Sequence, residues 1–392
     1  MVGTVLAALC VTEITSWGVL YYAFPVLAPA ITRDTGWSAT ATTAAFSAAL
    51  VLAAIGGIPL GRVLDRRGPR TVMTTGSVVA TAAVAGVALA PNLWWFTAAW
   101  LLAGAAMAAV LYQPAFAALT RYYGPRHVTA LTTLTLVAGL ASTVFAPLTD
   151  ALATHLPWRG VYLVLAAVLA VLTIPLHAFA LRRSWPPVRP DLHVKSAGGA
   201  VKDVLRSRPF VLLTAALTLS AFAMFAVLTN LIPLLIERGA SATTAAWALG
   251  LGGLGQVAGR LGYSTLVRRT TVRARTVWIL ALSTTTTATL AVLPGPVTLL
   301  IAVAVLAGTT RGIATLLQAT AISDRWGTTS YGALSGILAA PITTAGALAP
   351  WAGAALAASL GGYPHLFTAL TAAAALAAVL AVGSVPARRR PA

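Results

Sequence analysis

Acidic residues are nearly absent from this chain: it holds eight aspartates and glutamates in 392 residues, and charged residues of both signs make up only 9%. With 58% hydrophobic residues, so little charge cannot keep a soluble surface wetted. The lone Cys10 excludes a disulfide framework and a cysteine-rich metal site. His127, His155, His177, His193 and His365 show no metal-ligand spacing, and no nucleophile constellation stands out among the threonines. Neither catalysis nor a cofactor is expected. The glycine run through Gly250, Gly252, Gly253, Gly255 and Gly259 lacks a phosphate-loop lysine, so it reads as close helix packing and not as a nucleotide site.

What the chain does have is a series of apolar runs, each of roughly 20 residues or more, enough to cross about 30 Å of hydrocarbon as a helix. Backbone groups in lipid must bond within the segment, so the runs are helical. We read twelve spans: 4–31, 39–60, 71–90, 93–119, 128–154, 158–181, 209–236, 242–266, 275–293, 297–322, 330–357 and 362–384. Pro91-Asn92 and Pro294-Gly295-Pro296 are joints short enough to force antiparallel hairpins. Leu6 to Cys10 has no basic segment before it, so the N-terminus is expected to be an uncleaved first helix.

The formal charge of +18 sits between the runs. One set of alternate loops carries Arg62, Arg66, Arg67 and Arg70, then Arg121 and Arg126, then the segment Arg182 to Arg208, then Arg268, Arg269, Arg273 and Arg275, and lastly Arg388 to Arg390. The other set holds little beyond Arg33, Arg159 and Arg238, two of them beside Asp34 and Glu237. Lysine and arginine accumulate on the cytoplasmic side, so both termini are expected there, in a plasma (inner) membrane. The basic charge then reflects topology and contact with the lipid bilayer. Aromatic and basic residues do not interleave as a nucleic-acid surface requires.

The polar stretch 183–208 divides two halves, 1–182 and 209–392, each of six helices. The halves look related. Gly36-Trp37-Ser38-Ala39-Thr40 parallels Gly239-Ala240-Ser241-Ala242-Thr243, and Arg121-Tyr122-Tyr123-Gly124 parallels Arg325-Trp326-Gly327, with Ala146-Pro147 and Ala349-Pro350 equally far downstream. Two parallel six-helix repeats imply a central site that opens alternately as the halves rock.

Gly61-Arg62-Val63-Leu64-Asp65-Arg66-Arg67-Gly68-Pro69-Arg70 meets every fixed position of G-x-x-x-D-R-x-G-x-R and resembles the signature loop of the major facilitator superfamily. The resemblance implies an all-α, polytopic fold and a gating role for Gly61, Asp65, Arg66, Gly68 and Arg70. The second-half stretch Val267-Arg268-Arg269 lacks the aspartate. Tyr22-Ala23-Phe24-Pro25 resembles a helix-one run of the monocarboxylate transporters, and Gln256 and Arg260 have the spacing of that family's helix-eight aspartate and carboxylate-binding arginine. Gln256 replaces that aspartate, and Val26 stands where the family has a lysine.

Four charges lie inside spans: Glu13, Asp150, Arg260 and Arg311. Each costs at least about 2.5 kcal/mol at mid-bilayer, so each needs a reason. The planar fork of Arg260 suits a carboxylate, with Gln256 on the same face, while snorkelling is its alternative. Arg311 is read as a second anion-binding cation or an interhelical salt-bridge partner. Glu13 is the first choice for proton coupling, against a permanent ion pair. Asp150 is read as pairing with Arg159 or as exposed, with a minor coupling role. Trp17 and Tyr21 share one helical face and suit a cavity wall; Tyr22 is a further candidate, and either it or Phe24 is expected to pack against neighbours. Tyr112, Gln113 and Gln318 are weaker candidates of the same kind, and Trp94-Trp95 reads as an interfacial anchor.

The expectation is therefore a secondary transporter, a proton-driven symporter of a small organic anion such as a monocarboxylate, with no obligate protein partner. The alternative is proton-driven efflux of an amphipathic drug or metabolite.

Overall fold

The computed structural model describes residues 2–123, 127–182, 185, 198–327 and 331–386; the expected linker core, Gly124, Arg126 and Arg388 to Arg390 lie outside the described residues. Secondary structure among the described residues is helical throughout. Ten helices are long and apolar enough to cross a membrane. In chain order they are α1 (Gly3–Thr35), α2 (Ala39–Gly57), α3 (Arg66–Ala88), α4 (Leu93–Tyr123), α5 (Thr129–Ala153), α6 (Trp158–Ala180), α7 (Arg208–Glu237), α10 (Val297–Thr320), α11 (Gly336–Leu360) and α12 (Tyr363–Val382). Two of the expected spans, α8 (Ala242–Arg269) and α9 (Val272–Val292), are helices of sufficient length but greater polarity. Glycines dilute the hydropathy of α8, and threonines that of α9. The α9 hydroxyls are satisfied internally: Thr284, Thr285 and Thr287 donate to the carbonyls of Leu280, Ala281 and Ser283 at 2.9–3.0 Å.

The paired motifs before α2 and α8 adopt one conformation twice. Gly36 and Gly239 take φ of 71° and 87°, and Ser38 and Ser241 then cap their helices by accepting from the N–H of Ala41 and Thr244, each at 3.1 Å. The expected loop 61–70 is largely helical. Gly68, at φ 77° and ψ 168°, breaks the run in a region that only glycine adopts easily, and Pro69 then starts the next helix. Arg70 donates from Nε to Ala178 O at 2.9 Å, at the end of α6. Arg273 does the same in the second half, to Val382 O at 2.7 Å at the end of α12. The side chain of Asp65 is outside the described set, and that of Arg66 is exposed.

The first six helices and the last six meet along two seams, α2 with α11 and α5 with α8. At the end remote from the basic loops, the two halves share one apolar cluster in which Phe24, Phe46 and Phe145 join Leu231, Leu235 and Phe367. Ser47 Oγ accepts from the N–H of Trp351 at 3.0 Å across the first seam, and Thr143 Oγ1 donates to Gly250 O at 2.8 Å across the second. Toward the basic loops, the halves also have separate clusters, one around Leu9, Met73 and Leu119 and the other around Leu213, Leu317 and Leu338. The molecule is sealed at one end and divided at the other.

Candidate functional site

Three helices of the first half are interrupted at mid-depth. In α1, Gly18–Tyr22 forms a π turn, with the N–H of Ala23 bonded to Gly18 O. It lies just before Pro25, whose ring in a regular helix would press on the Tyr21 carbonyl. The ring of Phe145 occupies the place where a Gly18 side chain would begin. In α4, Leu111 is extended just before Tyr112, Gln113 and Pro114, where the proline has no N–H to bond the Val110 carbonyl and its ring would press on it in a continuous helix. In α5, the helix breaks at Gly139-Leu140.

The interruptions of α1 and α4 face a cavity of about 350 Å³ between the halves. Trp17, Tyr21, Tyr112 and Gln113 line it from the first half, and Phe225 and Gln318 from the second. Its volume lies in the range of small-molecule sites. The rings of Trp17 and Tyr21 are 5.6 Å apart and those of Trp17 and Tyr112 5.1 Å, so the wall is one connected aromatic surface. Trp17 and Tyr21 thus share the face that helical spacing predicts. Tyr22 and Phe24 pack among neighbours: Tyr22 lies against Tyr21, with ring centroids 5.2 Å apart, and Phe24 stacks on Phe46 at 4.4 Å.

Arg260 is 8% exposed and reaches across the α5·α8 seam, where its Nη1 donates to the carbonyl of Thr135, just before the α5 break. Its Nε is buried and unpartnered, and its charge acts on Tyr112. Gln256 does not share the task expected beside Arg260. Its Oε1 accepts from Arg311 Nε at 2.8 Å, and Arg311 faces a smaller cavity inside the second half. Glu13 is wholly buried beside Trp17, with no well-formed hydrogen bond to either carboxyl oxygen, and it acts electrostatically on Tyr112 and Cys10. The ion pairs found among the described residues are Arg159–Asp34 and Arg275–Asp324, so no intramembrane arginine holds Glu13.

Asp150 departs from its expected placement. It is 7% exposed, and Arg159 is engaged elsewhere, donating to Asp34 Oδ2 at 2.7 Å and to Ala90 O at 3.0 Å. Trp158 Nε1 donates to the same aspartate oxygen at 2.8 Å. Asp34 has two donors and lies in the last turn of α1, whereas Asp150 is drawn into the packed face of α5. Sequence reasoning also missed the Thr135 carbonyl, which a pattern of side chains cannot reveal. Trp94 is exposed at the hairpin before α4, as an interfacial anchor requires.

Two helical bundles around a mid-depth cavity, with cations beside it, are the architecture of a membrane transporter. A family model described as Major Facilitator Superfamily matches residues 9–335, and the chain belongs to that superfamily. It is similar to monocarboxylate transporter 13 of Bos taurus, 30% identical over 209 residues, covering 52% of this chain and 47% of the relative. It is also similar to monocarboxylate transporter 11 of Homo sapiens, 30% identical over 246 residues, covering 61% and 50%. The chain thus spans about half the length of the curated relatives it matches. Among solved structures, a bacterial homolog of the human lysosomal transporter Spinster, in an inward-facing and unoccupied conformation, superposes with a TM-score of 0.75 at 15% identity, covering 98% of this chain and 94% of that one. The chain is thus a multi-pass membrane protein of this transporter superfamily.

Proposed function

We propose that this transporter carries a small organic anion such as a monocarboxylate together with protons, across a plasma membrane, with both termini cytoplasmic. On that orientation the cavity opens to the cytoplasm, because the sealed end is the one remote from the basic loops. The observation that carries the reading is Arg260: a buried guanidinium beside the aromatic cavity whose bonded partner is a neutral carbonyl and not an acid. A carboxylate entering past Tyr112 offers Arg260 a charged acceptor in place of Thr135 O, and charge-assisted bonds are the stronger. Binding then loosens a link between the halves where rocking must begin. Glu13, wholly buried beside Trp17 and held by no cation, takes up and releases the coupled proton in this reading. Tyr112, which interacts with both, links the two events.

Uptake into proteoliposomes under an imposed proton gradient tests this. Short monocarboxylates should accumulate only with the gradient; Arg260→Gln should abolish their binding in a protein that unfolds at an unchanged temperature. Glu13→Gln should remove the pH dependence of flux more than binding. The largely apolar lining of the cavity, with Leu50, Met107 and Ile342, favours amphipathic efflux as the second reading. Gradient-driven transport of cationic dyes with no carboxylate flux would establish efflux and reject the anion reading.

A further inference from the structure

The second half contains a cation that the chain does not neutralise. Arg311 sits midway along α10, deep in the bundle, with its Nε on the neutral Gln256 Oε1 at 2.8 Å and its Nη2 buried without a partner. The only acids between residues 209 and 392 are Glu237 and Asp324. Both are committed near opposite ends of the bundle: Glu237 Oε2 accepts from the N–H of Tyr363 at 3.0 Å, and Asp324 is bound to Arg275. A half-buried guanidinium with one buried, unpartnered nitrogen and no acid calls for a counter-ion from outside the chain.

Beside Arg311 lies a small cavity enclosed among α7, α8, α9 and α10, of about 30 Å³. One water needs about 10–15 Å³ on this measure, so the space holds one or two atoms of that size and excludes an organic acid with its carbon chain. The polar lining besides Arg311 is Ser283, Thr286 and Thr287; the remainder is largely apolar, including Leu228 and Leu290. Thr286 and Thr287 spend their hydroxyl protons on Ser283 O at 3.0 and 2.9 Å. Ser283 Oγ makes no such bond and can donate. The site therefore offers an Arg311 N–H and a Ser283 O–H in an apolar, acid-free enclosure. Such a donor set selects a small, weakly hydrated, monovalent anion, whereas water would fill the space and leave the charge uncompensated.

We propose that Arg311 and Ser283 hold a chloride ion within the second bundle, apart from the central cavity. The proposal stands whether or not the transported substrate is a carboxylate.

The test measures the unfolding temperature of the detergent-purified protein as chloride is replaced by gluconate at constant ionic strength, with bromide and acetate as further arms. Chloride and bromide should raise it saturably and gluconate and acetate should not. Arg311→Gln, which removes the uncompensated charge, should fold and show no halide response, and Ser283→Ala should need several-fold more chloride for the same rise. In bromide-grown crystals, anomalous density should appear between α9 and α10. Equal stability in chloride and gluconate, or a halide response that survives in Arg311→Gln, overturns the proposal. So does stabilisation by acetate and not by halides, which would assign Arg311 to a carboxylate site.

Discussion

Gly312→Ala is a sensitive probe of how the second bundle is assembled. Helices α8 and α10 meet backbone to backbone: a Cβ at Gly308 would strike Gly252 O, one at Gly255 would strike Val305 O, one at Gly259 would strike Thr309 O, and one at Gly312 would strike Gln256 O. At Gly312 the added carbon would also lie 2.8 Å from Gln256 C and 2.9 Å from its Cα. Non-bonded heavy atoms pack at about 3.5 Å, so clearing the Gln256 oxygen, 2.0 Å from the added carbon, parts the helices by more than about 1 Å at this point. Overpacking of this kind costs about 1–3 kcal/mol, while alanine returns up to about 1 kcal/mol of helix propensity. Gly262 provides the control on the partner helix α8, since nothing lies within 4 Å of its added carbon. Gly262→Ala should be neutral or stabilising, and the two variants should differ by about 1–3 kcal/mol, a ratio of roughly 5 to 150 in folded population. Sodium dodecyl sulfate titration in mixed micelles measures the difference. The same displacement stretches the Arg311 Nε to Gln256 Oε1 bond from 2.8 Å to beyond about 3.5 Å, out of hydrogen-bonding range. If Gly312→Ala is as stable as Gly262→Ala, the seam is looser than described and the reasoning fails.

Three further outcomes follow from the same geometry. Gly68→Ala forces a side chain into φ 77°, ψ 168° and should cost about 1–3 kcal/mol, whereas Gly61→Ala, with open space around it, should be silent; equal effects in the titration would show that the motif's two glycines are equivalent. Asp324→Asn leaves the nearly buried Arg275 without its charge partner and should destabilise by about 1–3 kcal/mol, with Arg275→Met/Asp324→Leu recovering most of it; no recovery would mean that the pair does more than neutralise itself. Arg70→Gln and Arg273→Gln each remove a guanidinium from the carbonyl end of a neighbouring helix, so hydrogen exchange should quicken near Ala178 in the first and near Val382 in the second, and unchanged protection at both would dismiss these anchors.

Hydropathy made the spans and their alternation visible because insertion into lipid is decided by composition along the chain. The repeat was visible for a different reason: Gly36 and Gly239 must take positive φ, and Ser38 and Ser241 must cap, so the backbone fixes the residue types. Pairing between distant loops has no such local signature. Arg159 lies nine positions beyond Asp150, yet it is Asp34, 125 residues away, that the hairpins bring to it. Interruptions were equally hidden. Pro25, Pro114 and Gly139 are present in the sequence, but whether each bends, widens or breaks its helix depends on what packs there, as Phe145 does against Gly18. The cavity wall was therefore legible as residues, and the breaks that present it were not.

The two ends of the molecule are held by forces of different kinds, which bears on how it can switch. The sealed end is an apolar cluster crossed by single hydrogen bonds such as Ser47 to Trp351 and Thr143 to Gly250. Apolar contact is non-directional, so its faces can slide and part with their packing lost gradually and regained in another arrangement. The Arg260 to Thr135 bond is directional and ends on a carbonyl that also accepts from the N–H of Gly139 at the helix break. It lies toward the divided end, and Arg260 there acts on Tyr112 of the cavity wall, the side from which the proposed substrate enters. Rocking that opened the sealed end while leaving Arg260 in place would have to pivot about that bond; rocking that followed its release would not. A bound anion that takes Arg260 from Thr135 thus removes a constraint on the motion without having to touch the seal, and its charge is what makes the exchange favourable. A neutral analogue of the same shape has no such advantage over a carbonyl: it should enter the cavity and leave the rate of exchange between the two open states unchanged, as distance measurements between labels at the two ends can determine.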